Sequence, residues 1–160
     1  MASGDGLGRV FNVIKTASGL NIPLTKAGAV SFVFGDAGTG AAIATVTQTD
    51  STGVNSEADL NIFTVSGTVG SNGESRVYQG PDVGGTWTEA NAAGAVFADN
   101  TFDLSDETTN DTGVFTVRAE QLSDGYDQVQ VTVDTGLCLA IIHDLHVQRK
   151  PENLQSSLTV

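Results

Sequence analysis

Hydrophobic and polar residues alternate along this chain with the period of two that belongs to β-strands. In Gln128-Val129-Gln130-Val131-Thr132-Val133-Asp134 three valines share one face and polar side chains take the other, as in a half-buried antiparallel strand. Val30, Phe32 and Phe34 repeat the pattern, as do Phe115, Val117 and Ala119. Residues 137–142, Leu-Cys-Leu-Ala-Ile-Ile, are apolar on both faces, which predicts a central strand covered on both sides and the best candidate for the core. Turn-forming residues separate these runs at Asp50-Ser-Thr-Gly53, Ser71-Asn-Gly-Glu74, Gly80-Pro-Asp-Val-Gly-Gly85, Asn110-Asp-Thr-Gly113 and Ser123-Asp-Gly-Tyr126. The pattern predicts strands near 9–15, 28–35, 41–48, 60–66, 75–79, 85–89, 95–104, 113–119, 127–134 and 137–148. Helix is confined to a turn at Ala119-Glu-Gln-Leu-Ser123 and another after Pro151.

Composition agrees: nineteen glycines and frequent Val, Thr, Ser and Asn favour short strands between turns over helices. The 160 residues suffice for one core. The expected fold is all-β, an antiparallel β-sandwich with extended N- and C-terminal arms, the jelly roll being one candidate topology. Residues 1–26 read as an N-terminal arm and first strand, 27–148 as the sandwich body and 149–160 as a C-terminal tail. Cys138 is the single cysteine, so no intrachain disulfide can form, and its apolar neighbours predict a core position. No segment reads as an export signal or a membrane span.

Charge is sorted along the chain. Residues 27–148 contain seventeen Asp and Glu against Arg76 and Arg118 alone, whereas Arg9, Lys15 and Lys26 precede this body and Arg149 and Lys150 follow it. Such a body repels phosphate backbones and anionic membranes, so neither nucleic acid nor membrane is an expected partner. The basic residues at the ends are the candidate docking charges, because charge complementarity sets orientation and partner choice.

Catalytic chemistry is sparse. Gly35-Asp-Ala-Gly-Thr-Gly40 lacks the Lys-Ser/Thr of a phosphate loop and reads as a hairpin loop. In an unbroken strand His143 falls in phase with Leu139, Ile141, Leu145 and Val147, while Asp144 and His146 point the other way. The two histidines then cannot share a metal ion, and the expectation is one hydrogen-bonded core histidine and one surface histidine. Carboxylates gather at Asp103–Asp111 and Asp124–Asp127, but neither stretch follows a calcium-loop pattern, and both read as solvated turns. No cofactor, metal or catalytic residue is expected. Tyr126 resembles a corner tyrosine whose hydroxyl ties a loop to the backbone. Trp87 and Tyr78 are the candidate platforms of an alternative, a carbohydrate-binding sandwich in which aromatic faces stack on sugar rings.

Two stretches carry a family resemblance. The first runs Ala29-Val-Ser-Phe-Val-Phe-Gly-Asp-Ala-Gly, then Ala41-Ala-Ile-Ala-Thr-Val-Thr-Gln-Thr, then Gly85-Thr-Trp-Thr-Glu. The second is Val117-Arg-Ala-Glu-Gln-Leu-Ser-Asp-Gly-Tyr-Asp-Gln-Val-Gln-Val, followed by Leu139-Ala-Ile-Ile-His-Asp-Leu-His-Val-Gln-Arg-Lys-Pro-Glu-Asn-Leu154. Their ordering over residues 28–154 resembles head decoration or minor capsid proteins of tailed bacteriophages that infect actinobacteria. The resemblance implies a non-enzymatic virion protein on the outer capsid surface. It would bind the major capsid protein, form homo-oligomers such as trimers at local three-fold positions, and clamp neighbouring capsomers. A phage tail structural protein is the nearest rival from the same class.

Overall fold

The computed structural model describes residues 12–16, 19–35, 42–65, 68–80, 85–90, 97–104, 112–134 and 136–145. They form two antiparallel sheets packed face to face. Twelve strands follow one another: β1 (Asn12–Thr16), β2 (Leu20–Pro23), β3 (Ala27–Gly35), β4 (Ile43–Thr49), β5 (Ala58–Asp59), β6 (Val77–Gly80), β7 (Thr88–Ala90), β8 (Phe97–Ala98), β9 (Thr101–Asp103), β10 (Thr112–Arg118), β11 (Gln128–Val133) and β12 (Leu137–Leu145). The first sheet has the order β1-β12-β3-β10-β6-β7; the second is β2-β11-β4-β9-β8, with β5 paired to β4.

The first four strands run antiparallel to the last four in nested pairs: β1 with β12, β2 with β11, β3 with β10 and β4 with β9. Successive pairs alternate between the sheets, as when one long hairpin is rolled up. This is the jelly-roll topology. The chain between β4 and β9 is an insertion, and its hairpin β6–β7 extends the first sheet beyond β10.

The alternation read from the sequence becomes burial. In β4 and β10 every second residue is buried, and in β11 Val129 and Val131 turn inward. Phe32 and Phe115 stack at 5.4 Å, Phe34 and Phe63 meet Phe115 edge-on at 5.9 and 5.3 Å, and Phe102 of the second sheet packs edge-on against Phe34 at 5.8 Å. Each fully buried side chain of this size contributes about 1.5–3 kcal/mol. Gly113 leaves the space that the Phe34 ring occupies, because a Cβ there would lie 2.5 Å from it. Cys138 is buried, as expected.

Some elements differ from the sequence pattern. Residues 20–23, placed with the N-terminal arm, are an edge strand of the second sheet, and Ile22 and Leu24 enter the core. Among the described residues 60–65 the strand expected over 60–66 does not form. Ile62 and Phe63 are both buried, which a strand lying on one sheet face cannot achieve with consecutive residues. Their backbone bonds go instead to separate partners, with Phe63 N–H donating to Asp99 and Ser75 N–H to Ile62. The strand expected over 95–104 is interrupted by a turn at Asp99-Asn100 and becomes the β8–β9 hairpin. A 3-10 turn at Ala119–Gln121 matches the first short helix; the one after Pro151 lies outside the described residues, as does most of the Gly35–Gly40 loop.

Candidate functional site

The two outer faces of the sandwich differ in chemistry. On the second sheet Thr45, Thr47 and Thr49 of β4 stand beside Gln128, Gln130 and Thr132 of β11 and Thr101 of β9. Thr47 and Thr49 donate to the Gln130 and Gln128 carboxamides at 3.3 and 3.2 Å. This face is polar, and these seven side chains carry no charge.

On the first sheet the outward positions of the central strands combine an apolar row with polar and charged side chains. Leu139, Val33 and Val114 lie side by side on β12, β3 and β10, and the row continues to Tyr78 on β6. Tyr78 is 43% exposed, and Leu137 and Trp87 are 45% exposed. Trp87 packs over Gly80, two residues along β6 from Tyr78; a Cβ on Gly80 would lie 2.8 Å from the indole. The two candidate platforms therefore share one face.

The same face holds both arginines of the acidic body. Arg118 ends β10, and Arg76 immediately precedes β6; each alternates with buried neighbours, so each points outward. Together with Glu74, Ser75, Tyr78 and Thr116 they line a groove of about 520 Å³. Arg76 pairs with Glu89 at 3.2 Å and Arg118 with Glu120 at 3.7 Å. These partners are exposed, so each pair is worth about 0–1 kcal/mol and can be exchanged for a ligand. Thr116 Oγ1 lies 2.8 Å from Ser31 Oγ, which lies 2.9 Å from His143 Nε2, and His143 Nδ1 is 3.2 Å from the Asp144 carboxylate.

His143 does share a phase with Leu139 and Ile141, but that phase is the outer face of the sheet; Cys138, Ala140 and Ile142 are its core side. The expectation of a core histidine is thus corrected to a hydrogen-bonded histidine on the outer face, with a side chain 30% exposed. Asp144 adopts φ 54° and is 73% exposed. The order Ser31–His143–Asp144 is that of a hydrolase triad, which also needs donors aimed at a developing oxyanion. Here β3 is flanked by β10 and β12, and its backbone groups are committed to those two ladders. Ser31 thereby links Thr116 of β10 to His143 of β12 across the outer face.

Comparison with protein-family models, with curated proteins and with solved structures finds no match to this chain.

The candidate docking charges distribute as follows. Lys26 is exposed in the turn before β3. Leu145, where β12 ends, pairs with Ala27, the residue after Lys26, and Asn12, where β1 begins, pairs with Ile142. The chain therefore enters β1 and leaves β12 at the same end of the sheet as Lys26. Lys15 lies further along, opposite Leu139, and so is not grouped with Lys26. Arg9, Arg149, Lys150 and His146 lie outside the described residues. The same end carries acidic loops: Leu24 N–H donates to the Asp127 carbonyl, and the Asp127 carboxylate accepts from the Ser51 amide.

Among the described residues no three His, Cys, Asp or Glu side chains are grouped closely enough to hold a metal ion. The Asp103–Asp111 stretch is largely outside those residues. Tyr126 does tie a loop down, donating to the Ser56 carbonyl at 3.1 Å. Sequence reasoning missed Arg76, Arg118 and Thr116 as a group. Their outward phase was legible, since each alternates with core residues; their adjacency depends on β6 pairing with β10, which no local pattern encodes.

Proposed function

We propose that this chain is a non-enzymatic virion structural protein that binds the outer surface of a bacteriophage capsid and stabilises it. The observation that carries this reading is the convergence of the entry to β1, the exit from β12 and Lys26 at one end of the sandwich. The flanking segments bearing Arg9, Arg149 and Lys150 join the sandwich there, leaving the polar and acidic remainder to face solvent. Because Asp50 and Asp127 lie at the same end, the matching capsid surface is of mixed charge, and specificity comes from pairing rather than bulk attraction. Jelly rolls occur in viral capsid and lectin domains, which is support by analogy of fold only. Trimers at local three-fold positions would let weak single contacts act together on the major capsid protein.

The test is co-sedimentation with shells assembled from the major capsid protein alone. Saturable binding at a fixed ratio is expected. Deleting residues 1–8 or 150–160 should weaken binding roughly tenfold or more through lost avidity, with the melting temperature unchanged. Raising salt should weaken it further, because exposed pairs are screened. Absence of binding to mature shells would overturn the reading, and assembly of the free protein into rings or tubes would replace it with a tail role.

A second reading, carbohydrate binding, is favoured by a separate observation: Trp87 and Tyr78 are both exposed on the outer face of the first sheet. Glycan-array binding that is lost in Trp87→Ala would support it.

A further inference from the structure

We infer that the groove between β6 and β10 binds an acidic saccharide, a sugar unit carrying a single carboxylate. This rests on the carbohydrate reading and names its ligand class; it is independent of capsid docking. The groove combines the three kinds of group that such a ligand requires. Arg76 and Arg118 line one cavity, and a guanidinium presents a planar fork of donors that matches a carboxylate in two parallel hydrogen bonds. Both side chains are more than half exposed, and their present partners Glu89 and Glu120 are themselves exposed. The fork is thus held at little cost and remains able to turn to a ligand.

Tyr78 supplies the second group. Its half-exposed ring forms part of the lining and offers a flat apolar plate to the C–H face of a pyranose, with a hydroxyl at its tip. Hydroxyl recognition is the third. Thr116 and Glu74 both line the cavity, and the Glu74 carboxylate, which accepts from Thr64 at 3.1 Å through Oε1, keeps acceptor capacity for sugar hydroxyls.

The acidic residue also sets the limit on ligand charge. With Glu74 in the wall and a net charge of −12 on the chain, a phosphate dianion or a polyanion meets repulsion that a monoanion with several hydroxyls largely avoids. A neutral sugar, by contrast, would leave both guanidiniums in their pairs with Glu89 and Glu120 and gain no charge-assisted hydrogen bond from them.

The experiment is calorimetric titration of the full chain with a trisaccharide of two galactose units and one galacturonic acid, the corresponding neutral galactose trisaccharide, and inorganic phosphate. The acidic trisaccharide is expected to bind, and Arg118→Ala and Tyr78→Ala should each weaken it roughly tenfold or more while melting temperatures hold. Equal binding of the neutral sugar would overturn the acidic assignment and leave the carbohydrate reading standing. Phosphate binding as tightly as the acidic sugar would overturn it in favour of a simple anion site. Failure of both sugars to bind would overturn this inference, whereas the carbohydrate reading stands or falls by the glycan array and the capsid reading by co-sedimentation.

Discussion

At the scale of single residues, space and hydrogen-bond donors decide what each position tolerates. Gly113 sits in β10 where the Phe34 ring closes over it, and an added Cβ would lie 2.5 Å from that ring. Gly113→Ala should therefore destabilise the fold by about 1–3 kcal/mol, measured by denaturant unfolding, since a packed aromatic has little room to retreat. Asp50 illustrates the electrostatic counterpart. The Thr52 hydroxyl, then the Thr52 amide, with further help from the Asn55 and Val54 amides, hold its carboxyl at about 2 against an ordinary 3.8. A carboxyl depressed on folding contributes stability that is fully present above its unfolded value and disappears as pH falls through the folded one. NMR titration should place the Asp50 midpoint near 2. Asp50→Asn should reduce the loss of stability between about pH 4 and pH 2; an unchanged acid limb would show that other carboxyls govern it.

Elements are joined by a polar network where the chain crosses from the first sheet to the second. Gln121, buried in the 3-10 turn after β10, accepts from the Arg118 amide at 2.8 Å and exchanges hydrogen bonds with Ser75. Its carbonyl accepts from Asn72, which also donates to Ser123. Ser123 in turn is held by Gln48 of β4, whose carboxamide both accepts its amide and donates to its hydroxyl. The insertion, the crossover and the second sheet are thereby tied at one place. Gln121→Ala should cost about 1–3 kcal/mol by chemical denaturation, because it leaves the Arg118 amide without its acceptor. A loss below a few tenths of a kcal/mol would mean that water replaces the side chain.

For the whole molecule, the aromatic cluster couples the layers. Phe32, Phe34 and Phe115 come from the first sheet, Phe102 from the second, and Phe63 from the insertion. Phe115 touches three of the others, so Phe115→Ala should destabilise by about 3–5 kcal/mol in a single cooperative transition. Separate transitions for the two sheets would show that the cluster does not couple them. The first sheet's outer face can then vary in sequence without touching this core, which is what a recognition surface on a rigid scaffold requires.

Much of the sandwich was legible in the chain because a strand's period of two records one buried face directly. Val129 and Val131, Phe32 and Phe34, and Phe115 and Val117 all lie in the core on the phase that alternation assigns them. Turn residues likewise marked where most strands end. Two things depended on tertiary structure. Leu139, Ile141 and His143 form an apolar-looking phase that could face either side, and only the stacking of the second sheet on Cys138, Ala140 and Ile142 decided which was inside. The groove is the other case: Arg76 and Arg118 are separated by forty-one intervening residues and meet because β6 joins β10, a long-range pairing. Local sequence specifies which side of a strand an atom lies on, whereas the identity of its neighbours across the sheet is set by how the whole chain rolls up.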